Sequence, residues 1–369
     1  MQETLFIPVE KVNDFIQEVF IKVGVPKEDA RICTDILIES DLRGIESHGV
    51  GRIKMYYDRI KSGVQKPVTK IDVISDDQAT AVWDGNHGMG HVIAYKAMQK
   101  AIEKAKKFGV GSVAVRNSTH YGIAGYYPKM AIEQNMIGIS MTNARSSISP
   151  TWGVEPMLGT NPIAFGAPSD FEFDFLYDGA TSIIQRGKIE VLDKKQEPTP
   201  EGWVIDENAK PLTNSKQILT KLVEQKASLL PLGGADEFLG GHKGYGFATI
   251  VEIMSSALQG GSYLHALNGI EKGKKVPFKV GHFFMAINVE AFIELSTFKK
   301  ITGNIMRNLK NSTKAPGKEK IFIAGEKEYY KGFEIRKKGI PINKGLQKNL
   351  NIIINELGLS DYNLFFTSV

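Results

Sequence analysis

The stretch that decides the fold is Ala79-Thr80-Ala81-Val82-Trp83-Asp84-Gly85-Asn86-His87-Gly88-Met89-Gly90-His91. It has the pattern of a strand that runs into a glycine-rich turn, and the helical pattern of residues 92–108 follows it. A Rossmann dinucleotide-binding unit begins with the same order of strand, glycine-rich turn and helix. Here, however, the last glycine of the G-x-G-x-x-G pattern is missing, and the next strand, 111–115, ends in Arg116 instead of an acidic residue for a ribose. We therefore expect a fold of another type.

The same stretch carries two histidines four residues apart, His87 and His91, a spacing that also occurs in metal sites. No glutamate follows the first histidine, and no third ligand stands nearby in the sequence. We predict no metal site.

The next segment toward the C-terminus is Asn117-Ser118-Thr119-His120-Tyr121-Gly122-Ile123-Ala124-Gly125-Tyr126-Tyr127. It follows an apolar run, 110–115, that is typical of a buried strand, so His120 is expected in the turn that leaves this strand. An imidazole with an ordinary pKa of about 6.5 is suited to proton transfer near neutral pH. Hydrogen bonding within a loop is the alternative, and the sequence leaves both open.

Toward the N-terminus, apolar residues at helical spacing predict a helical hairpin over residues 8–42, followed by His48 and Arg52. If a helix already begins near Ser47, these two side chains lie on one face, because they are four residues apart. A guanidinium can hold a carboxylate in two hydrogen bonds, which suits an anionic substrate. A capped helix start with a surface arginine is the alternative.

Composition excludes several classes of protein. The chain has 369 residues, 42% of them hydrophobic, and 46 basic against 41 acidic residues. This balance gives no indication of nucleic-acid binding, and no apolar run is long enough to span a membrane. Met1 to Thr4 lack the order of a signal peptide, and a single cysteine, Cys33, agrees with a reducing compartment. We expect a cytoplasmic protein.

The remainder of the chain is sheet-rich in its middle and helical again at its end. The glycine-rich segment 240–246 precedes a helix predicted over Phe247 to Leu258, where the helix dipole and Lys243 are suited to a phosphate. Further helices are predicted at Ile293 to Leu309 and Ile340 to Leu357, with an extended link and a polar turn over 321–327 between them. We expect a helical domain from segments 1–70 and 291–369, and a sheet-rich domain over 71–290.

Seven short motifs occur in a fixed order along nearly the whole chain: Ser47-His48-Gly49-Val50-x-Arg52, Asn117-x-x-His120-x-Gly122, Gly159-Thr160-Asn161-Pro162, Asp178-x-Ala180-Thr181-Ser182, Lys243-Gly244-Tyr245-Gly246, Gly281-His282-Phe283-Phe284 and Ala324-Gly325-Glu326. With this set the chain resembles the malate/L-lactate dehydrogenase family of non-Rossmann type, which includes malate, sulfolactate, ureidoglycolate and diketogulonate oxidoreductases. The sequence segments 153–168 and 184–206 are most similar to the malate dehydrogenases of this family.

The resemblance implies an α/β fold with a non-Rossmann NAD(P)-binding sheet domain and a helical domain built from the two ends of the chain. It also implies a homodimer that binds NAD or NADP. His48 and His120 match the family's proton-transfer positions, and Arg52 matches its carboxylate anchor. The positions that contact the nucleotide are matched by Asp178, Gly179, Ala180, Lys243, Gly325, Glu326 and Lys327.

Two positions depart from the family pattern, since Ala144 stands where members often carry serine and Gly179 where they often carry methionine. The function that the resemblance implies is hydride transfer between NAD(P)H and a small 2-oxo acid, with malate/oxaloacetate or L-lactate/pyruvate as the substrate pair. Between the histidines we favour His120 as the proton carrier, because the charge of Arg52 disfavours protonation of His48. An NADPH-dependent cyclic imino acid reductase and a non-catalytic nucleotide-binding protein stay open as alternatives.

Overall fold

The computed structural model describes residues 4–366, so the first three and last three positions of the predicted helical segments lie outside it. Its α-helices are α1 Val9–Lys22, α2 Lys27–Leu42, α3 Ile53–Lys61, α4 Gly90–Phe108, α5 Tyr126–Ile132, α6 Arg186–Lys195, α7 Ser215–Val223, α8 Gly241–Met254, α9 Leu295–Lys310, α10 Glu326–Lys338, α11 Lys344–Leu357 and α12 Asn363–Phe366. Its strands are β1 Leu5–Ile7, β2 Asp72–Asp76, β3 Thr80–Asp84, β4 Val110–Ser118, β5 Met136–Thr142, β6 Ile163–Ala167, β7 Phe175–Gly179, β8 Val204–Asp206, β9 Ala227–Leu229, β10 Ile270–Glu271, β11 Lys274–Lys275, β12 Val280–Asn288 and β13 Ile340–Ile342.

The centre of the molecule is a 7-stranded sheet with the order β2-β3-β4-β12-β5-β6-β7. β3 and β4 run parallel and α4 connects them, while the other neighbouring pairs of this sheet run antiparallel. Residues 80–118 thus form one strand–helix–strand unit inside a mostly antiparallel sheet. This mixed sheet confirms an α/β fold that is not a doubly wound Rossmann sheet.

The two ends of the chain meet. β1 pairs with β13 in antiparallel register, and α11 packs against α1 and α3. One hydrophobic core joins these elements to the sheet, with buried residues such as Phe15 of α1, Ile354 of α11 and Phe284 of β12 in a single cluster. The boundaries proposed at residues 70 and 290 stay a prediction.

Two elements near the C-terminus differ from the prediction. Residues 326–338, expected to begin as a polar turn, form α10, in which the buried residues are Glu326 and Ile335. Because so few of its residues are buried, this helix lacks the periodic apolar pattern that predicts a helix from sequence. Ile340–Ile342, expected as helix, forms β13 because its partner is β1, and the helix begins after Asn343, whose side chain accepts the N–H of Leu346.

Two helix starts also differ. Residues 50–52 form a 3-10 turn and α3 begins at Ile53, so no helix starts near Ser47. α8 begins at Gly241 instead of Phe247, which places Lys243 in its first turn.

Within residues 4–366, no helix combines the length and apolar character that crossing a bilayer requires. In the same range, no three His, Cys, Asp or Glu side chains are grouped so that they can hold a metal ion.

Candidate active site

The structure brings the two predicted histidines together. His120 follows β4, and His48 lies in the turn between α2 and α3, yet their ring centroids are 5.5 Å apart and the planes differ by 23°. Arg52, one 3-10 turn after His48, acts electrostatically on both rings. The sequence elements that predicted an acid–base group and a carboxylate anchor therefore meet at one place.

Tyr56, which the sequence analysis did not single out, contacts His120 directly. Its side chain is fully buried in α3, and its hydroxyl lies 2.5 Å from Nδ1 of His120. The backbone N–H of Gly122, which can only donate, is 3.3 Å from the same nitrogen. Nδ1 is therefore the acceptor of the neutral ring, Tyr56 donates to it, and Nε2 carries the proton.

Both histidines are neutral in the resting site. Burial, followed by the charges of Arg59 and Arg52, holds the pKa of His120 well below its ordinary value. Burial and the charge of Arg52 lower the pKa of His48 to about 4. A bound anion opposes these cations and so favours protonation of a ring.

Arg52 and His48 are held by their own turn. The Nε of Arg52 donates to the carbonyl oxygen of Ser47 at 2.5 Å, and the Ser47 hydroxyl lies 2.8 Å from Nδ1 of His48. The turn is tied to α2, since the N–H of Val50 donates to the buried carboxyl group of Asp41 at 2.8 Å. Gly49 packs so closely on this carboxyl that a Cβ there would lie 1.9 Å from its oxygen. Among residues 4–366, the two terminal nitrogens of Arg52 have no hydrogen-bond partner, so they can hold a ligand.

The other side of the His120 turn is anchored in the sheet. The ring of Tyr121 stacks on His282 with centroids 4.5 Å apart. His282 is fully buried, and its two ring nitrogens contact the hydroxyls of Thr142 at 2.8 Å and Ser118 at 2.7 Å. Because every polar atom of this ring has a partner, His282 supports the turn without taking part in chemistry.

We predict that Tyr56→Phe lowers turnover by about 2- to 10-fold, the range expected for loss of one hydrogen bond that orients the ring. Since Tyr56 donates to the neutral ring, its loss also raises the pKa of His120, so the fall in kcat/KM for reduction with rising pH is expected at higher pH. The pH profile of parent and variant checks this. A lower turnover with an unshifted profile would make Tyr56 a packing residue only.

The predicted nucleotide positions lie around one end of β7. Asp178, in β7, accepts the N–H of Gly125 at 2.7 Å, which ties it to the segment that carries His120. Gly325 has a φ of +90° and packs on the backbone of Leu176 in the same strand. Ala180 continues from Gly179, and the carbonyl of the next residue, Thr181, accepts the N–H of Leu232.

Leu232 also packs against Gly244, so the first turn of α8 lies beside this strand end. Lys243 is exposed there, and its ammonium has no carboxylate partner within residues 4–366. Glu326 differs, since its buried carboxylate is engaged by Lys310 and by the N–H of Ile323. Lys327 is exposed, with its ammonium 4.5 Å from the Phe322 ring centroid.

Comparison with known proteins identifies the family of the chain. The model of the malate/L-lactate dehydrogenase family matches residues 7–351. The chain belongs to this family. Malate dehydrogenase from Pyrococcus abyssi is 49% identical over 96% of this chain and 95% of its own length. L-sulfolactate dehydrogenase from Methanocaldococcus jannaschii is 39% identical over 96% and 98%. The crystal structure of malate dehydrogenase from Entamoeba histolytica has a TM-score of 0.94 at 44% identity, covering 96% of this chain and 99% of that one.

Membership of the malate/L-lactate dehydrogenase family makes the protein a 2-hydroxy acid dehydrogenase that works with a nicotinamide cofactor. The residues present fit such a cofactor. Lys243, in the first turn of α8 and without a carboxylate partner within residues 4–366, suits the pyrophosphate, and the carboxylate of Asp178 suits a ribose hydroxyl.

Proposed function

We propose that the protein interconverts oxaloacetate and malate with NAD(H). The observation that carries this proposal is the meeting of His120, His48 and Arg52 in one site, where two neutral imidazoles lie near a guanidinium that has no carboxylate partner within residues 4–366. The names of the relatives from Pyrococcus abyssi and Pyrococcus horikoshii, both malate dehydrogenases, support the substrate.

Arg52 grips the carboxylate next to the reacting carbonyl with its two terminal nitrogens. A bound reduced nicotinamide supplies the hydride to the carbonyl carbon. Binding of the anionic substrate favours a second proton on the His120 ring, and the Tyr56 hydroxyl rotates to accept from Nδ1. The imidazolium then donates from Nε2 to the carbonyl oxygen, delivers that proton to the forming alkoxide, and is left as a neutral ring with its proton on Nδ1. His48 is the neutral donor that orients the same oxygen.

The charges near Asp178 support the proposed preference for NAD over NADP. Burial raises the pKa of Asp178 to about 6, so the group is mainly ionised at neutral pH. The positive charge of Arg43 lowers the pKa of Asp178 and the negative charge of Glu328 raises it, but Arg43 is paired with Glu39 at 2.8 Å. A 2′-phosphate at this place meets repulsion, whereas ribose hydroxyls can donate to the carboxylate.

Lys243→Ala is expected to raise the dissociation constant of NADH by about 10-fold, because one charge-assisted contact to the pyrophosphate is lost while the exposed position leaves the fold intact. Fluorescence titration of the reduced cofactor measures this. Lys188→Ala, which removes an exposed lysine on α6, is the matched control. Equal affinities in parent and Lys243→Ala would remove Lys243 from the cofactor site.

We also propose that the protein is a homodimer. α8 leaves Phe247, Ile250 and Ile253 between 48% and 52% exposed, and an apolar face of this kind is suited to burial against a second copy. Sedimentation equilibrium tests it, and a mass of one chain at micromolar concentration contradicts it. The cytoplasmic location stays a prediction.

The substrate and the cofactor are tested together by steady-state assays of oxaloacetate, pyruvate, sulfopyruvate and a cyclic imino acid, each with NADH and NADPH. We expect the highest kcat/KM for oxaloacetate with NADH. Reduction of the imino acid alone would assign the protein to the reductase alternative, and binding of cofactor without turnover of any substrate would indicate a non-catalytic protein.

A further inference from the structure

His91 lies in the first turn of α4, beside the segment that carries His120. The N–H of the preceding residue, Gly90, donates to the hydroxyl of Thr119 at 2.9 Å. A Cβ on Gly90 would lie 2.3 Å from the carbonyl oxygen of Thr119 and 2.5 Å from that of His120. The start of α4 is therefore packed directly on the His120 turn, and its backbone fixes the position of the His91 side chain.

The His91 ring contacts both groups that donate to Nδ1 of His120. Its centroid lies 4.7 Å from that of Tyr56 at an interplanar angle of 62°, closer than the 5.8 Å between the rings of Tyr56 and His120. A Cβ on Gly122 would lie 3.3 Å from Cδ2 of His91 and 3.5 Å from its Nε2. One side chain thus packs against the hydroxyl donor, Tyr56, and against the backbone donor, Gly122.

His91 has polar atoms that this packing does not use. The side chain is fully buried, and within residues 4–366 neither ring nitrogen has a hydrogen-bond partner. Burial lowers the pKa of His91 to about 3, so the ring is neutral and has one N–H and one nitrogen that can accept. Because unpaired polar atoms in a core destabilise the fold, an apolar side chain would fill this place better. Packing alone therefore does not account for an imidazole here.

The proposed reaction requires a second acceptor for the Tyr56 hydroxyl. In the resting site this hydroxyl donates to Nδ1 of His120, its one hydrogen-bond partner in the described part of the chain. Once Nδ1 is protonated, the hydroxyl oxygen accepts from it, and the hydroxyl hydrogen turns away. Tyr56 is fully buried, so a hydrogen without an acceptor would oppose protonation of His120.

We propose that His91 is a positioning residue for proton transfer, whose unprotonated nitrogen accepts the Tyr56 hydroxyl hydrogen while Nδ1 of His120 is protonated. The two rings are already in contact, and rotation of the imidazole about its last torsion changes which ring atom faces Tyr56. No proton leaves Tyr56 and none is transferred to His91. This inference rests on the proposed function and adds the residue that stabilises the imidazolium.

Other ionisable groups near this chain of hydrogen bonds set the background of the effect. Those that act on His120, besides Tyr56 and His91, are His48, Arg52 and Arg59. The two arginines disfavour the imidazolium, and the bound anion opposes them. Cys33 of α2 lies in the same hydrophobic core as Tyr56, and burial raises its pKa, so the thiol is neutral. Within residues 4–366, none of these groups forms a hydrogen bond with Tyr56.

The test compares His91→Leu, which fills a similar volume without an acceptor, with His91→Gln, which keeps one. For His91→Leu, kcat for oxaloacetate with NADH at neutral pH is expected to fall by about 3- to 10-fold, the effect of one hydrogen bond. The pKa of His120 falls with it, so the decline of kcat with rising pH moves to lower pH by about half to one unit. This shift is opposite to the one expected for Tyr56→Phe.

Thermal unfolding separates this role from packing. The midpoint of His91→Leu is expected to equal or exceed that of the parent, because an apolar side chain replaces unpaired buried polar atoms. His91→Gln is expected to recover most of the kcat and of the pH profile. In a Tyr56→Phe background, His91→Leu is expected to cause no further shift of the profile, since the hydroxyl through which His91 acts is absent.

An unshifted pH profile in a folded His91→Leu protein overturns the inference. So does a His91→Gln protein as impaired as His91→Leu, or a shift that persists in the Tyr56→Phe background. If His91→Leu does not fold, ¹⁵N NMR of the parent's histidine rings provides the test, with the signal of His91 assigned from its loss in His91→Gln. Addition of oxaloacetate with oxidised cofactor is expected to move that signal, and an unmoved signal contradicts the role.

The failure of this inference differs from failure of the proposed function. A parent that reduces no 2-oxo acid with either cofactor contradicts the proposed function itself. An active parent whose pH profile is the same with histidine or leucine at position 91 contradicts only the role of His91.

Discussion

His120→Asn is expected to lower turnover of oxaloacetate by about 10²- to 10⁴-fold, the usual effect of removing a group that transfers the proton. Asparagine has an amide oxygen that can still accept the hydrogen bond from Tyr56, so the turn is expected to keep its shape. The ionisable proton is lost. His48→Asn is the matched control, and it is expected to weaken substrate orientation while leaving the pH profile of the parent.

The pH dependence distinguishes the two histidines. In reduction the protonated ring is the active form, so the rate falls as pH rises through its pKa. Burial and nearby cations place this pKa below the ordinary value in the free protein, and a bound dianion raises it. The fall in kcat is therefore expected at higher pH than the fall in kcat/KM, and His120→Asn is expected to abolish both. If His48→Asn abolishes them while His120→Asn keeps them, the roles must be exchanged.

Arg52→Lys is expected to lower kcat/KM for any 2-oxo acid by more than about tenfold. The structure gives the reason, since Nε of Arg52 already donates to the Ser47 carbonyl and leaves two parallel N–H groups for a carboxylate. The ammonium group of lysine keeps the positive charge, but it cannot both donate to the Ser47 carbonyl and hold the substrate carboxylate in two hydrogen bonds. Steady-state assays against Arg336→Lys as control measure the effect. An efficiency equal to that of the parent would place Arg52 outside the site.

The sequence predicts the central elements of the fold because their buried residues recur at the spacing of a helix or a strand. Phe15 and Ile16 of α1 are both fully buried, as the helical spacing requires, and Gly109, with a φ of +83°, ends α4 as expected. α10 was not predictable, because its surface is mostly exposed and carries no pattern. β13 depends on β1, more than 300 residues away in the sequence, and no local signal reveals such a partner.

The sequence likewise predicts some residues of the candidate site and not others. His48, Arg52 and His120 are indicated by residue type, and the structure brings them together. Tyr56 was missed because a buried aromatic residue in a helix is normally core, although its spacing of four from Arg52 placed it on the same face.

The central claim is that this site transfers a hydride to the carbonyl carbon of a 2-oxo acid. The most direct test is to incubate the protein with oxaloacetate and NADH that carries deuterium at the transferable position of the nicotinamide, and to analyse the product by mass spectrometry and NMR. We predict malate with deuterium at C2 from the parent, and at least a 10²-fold slower appearance of the label with His120→Asn. Product without the label, or consumption of neither reactant, would contradict the account.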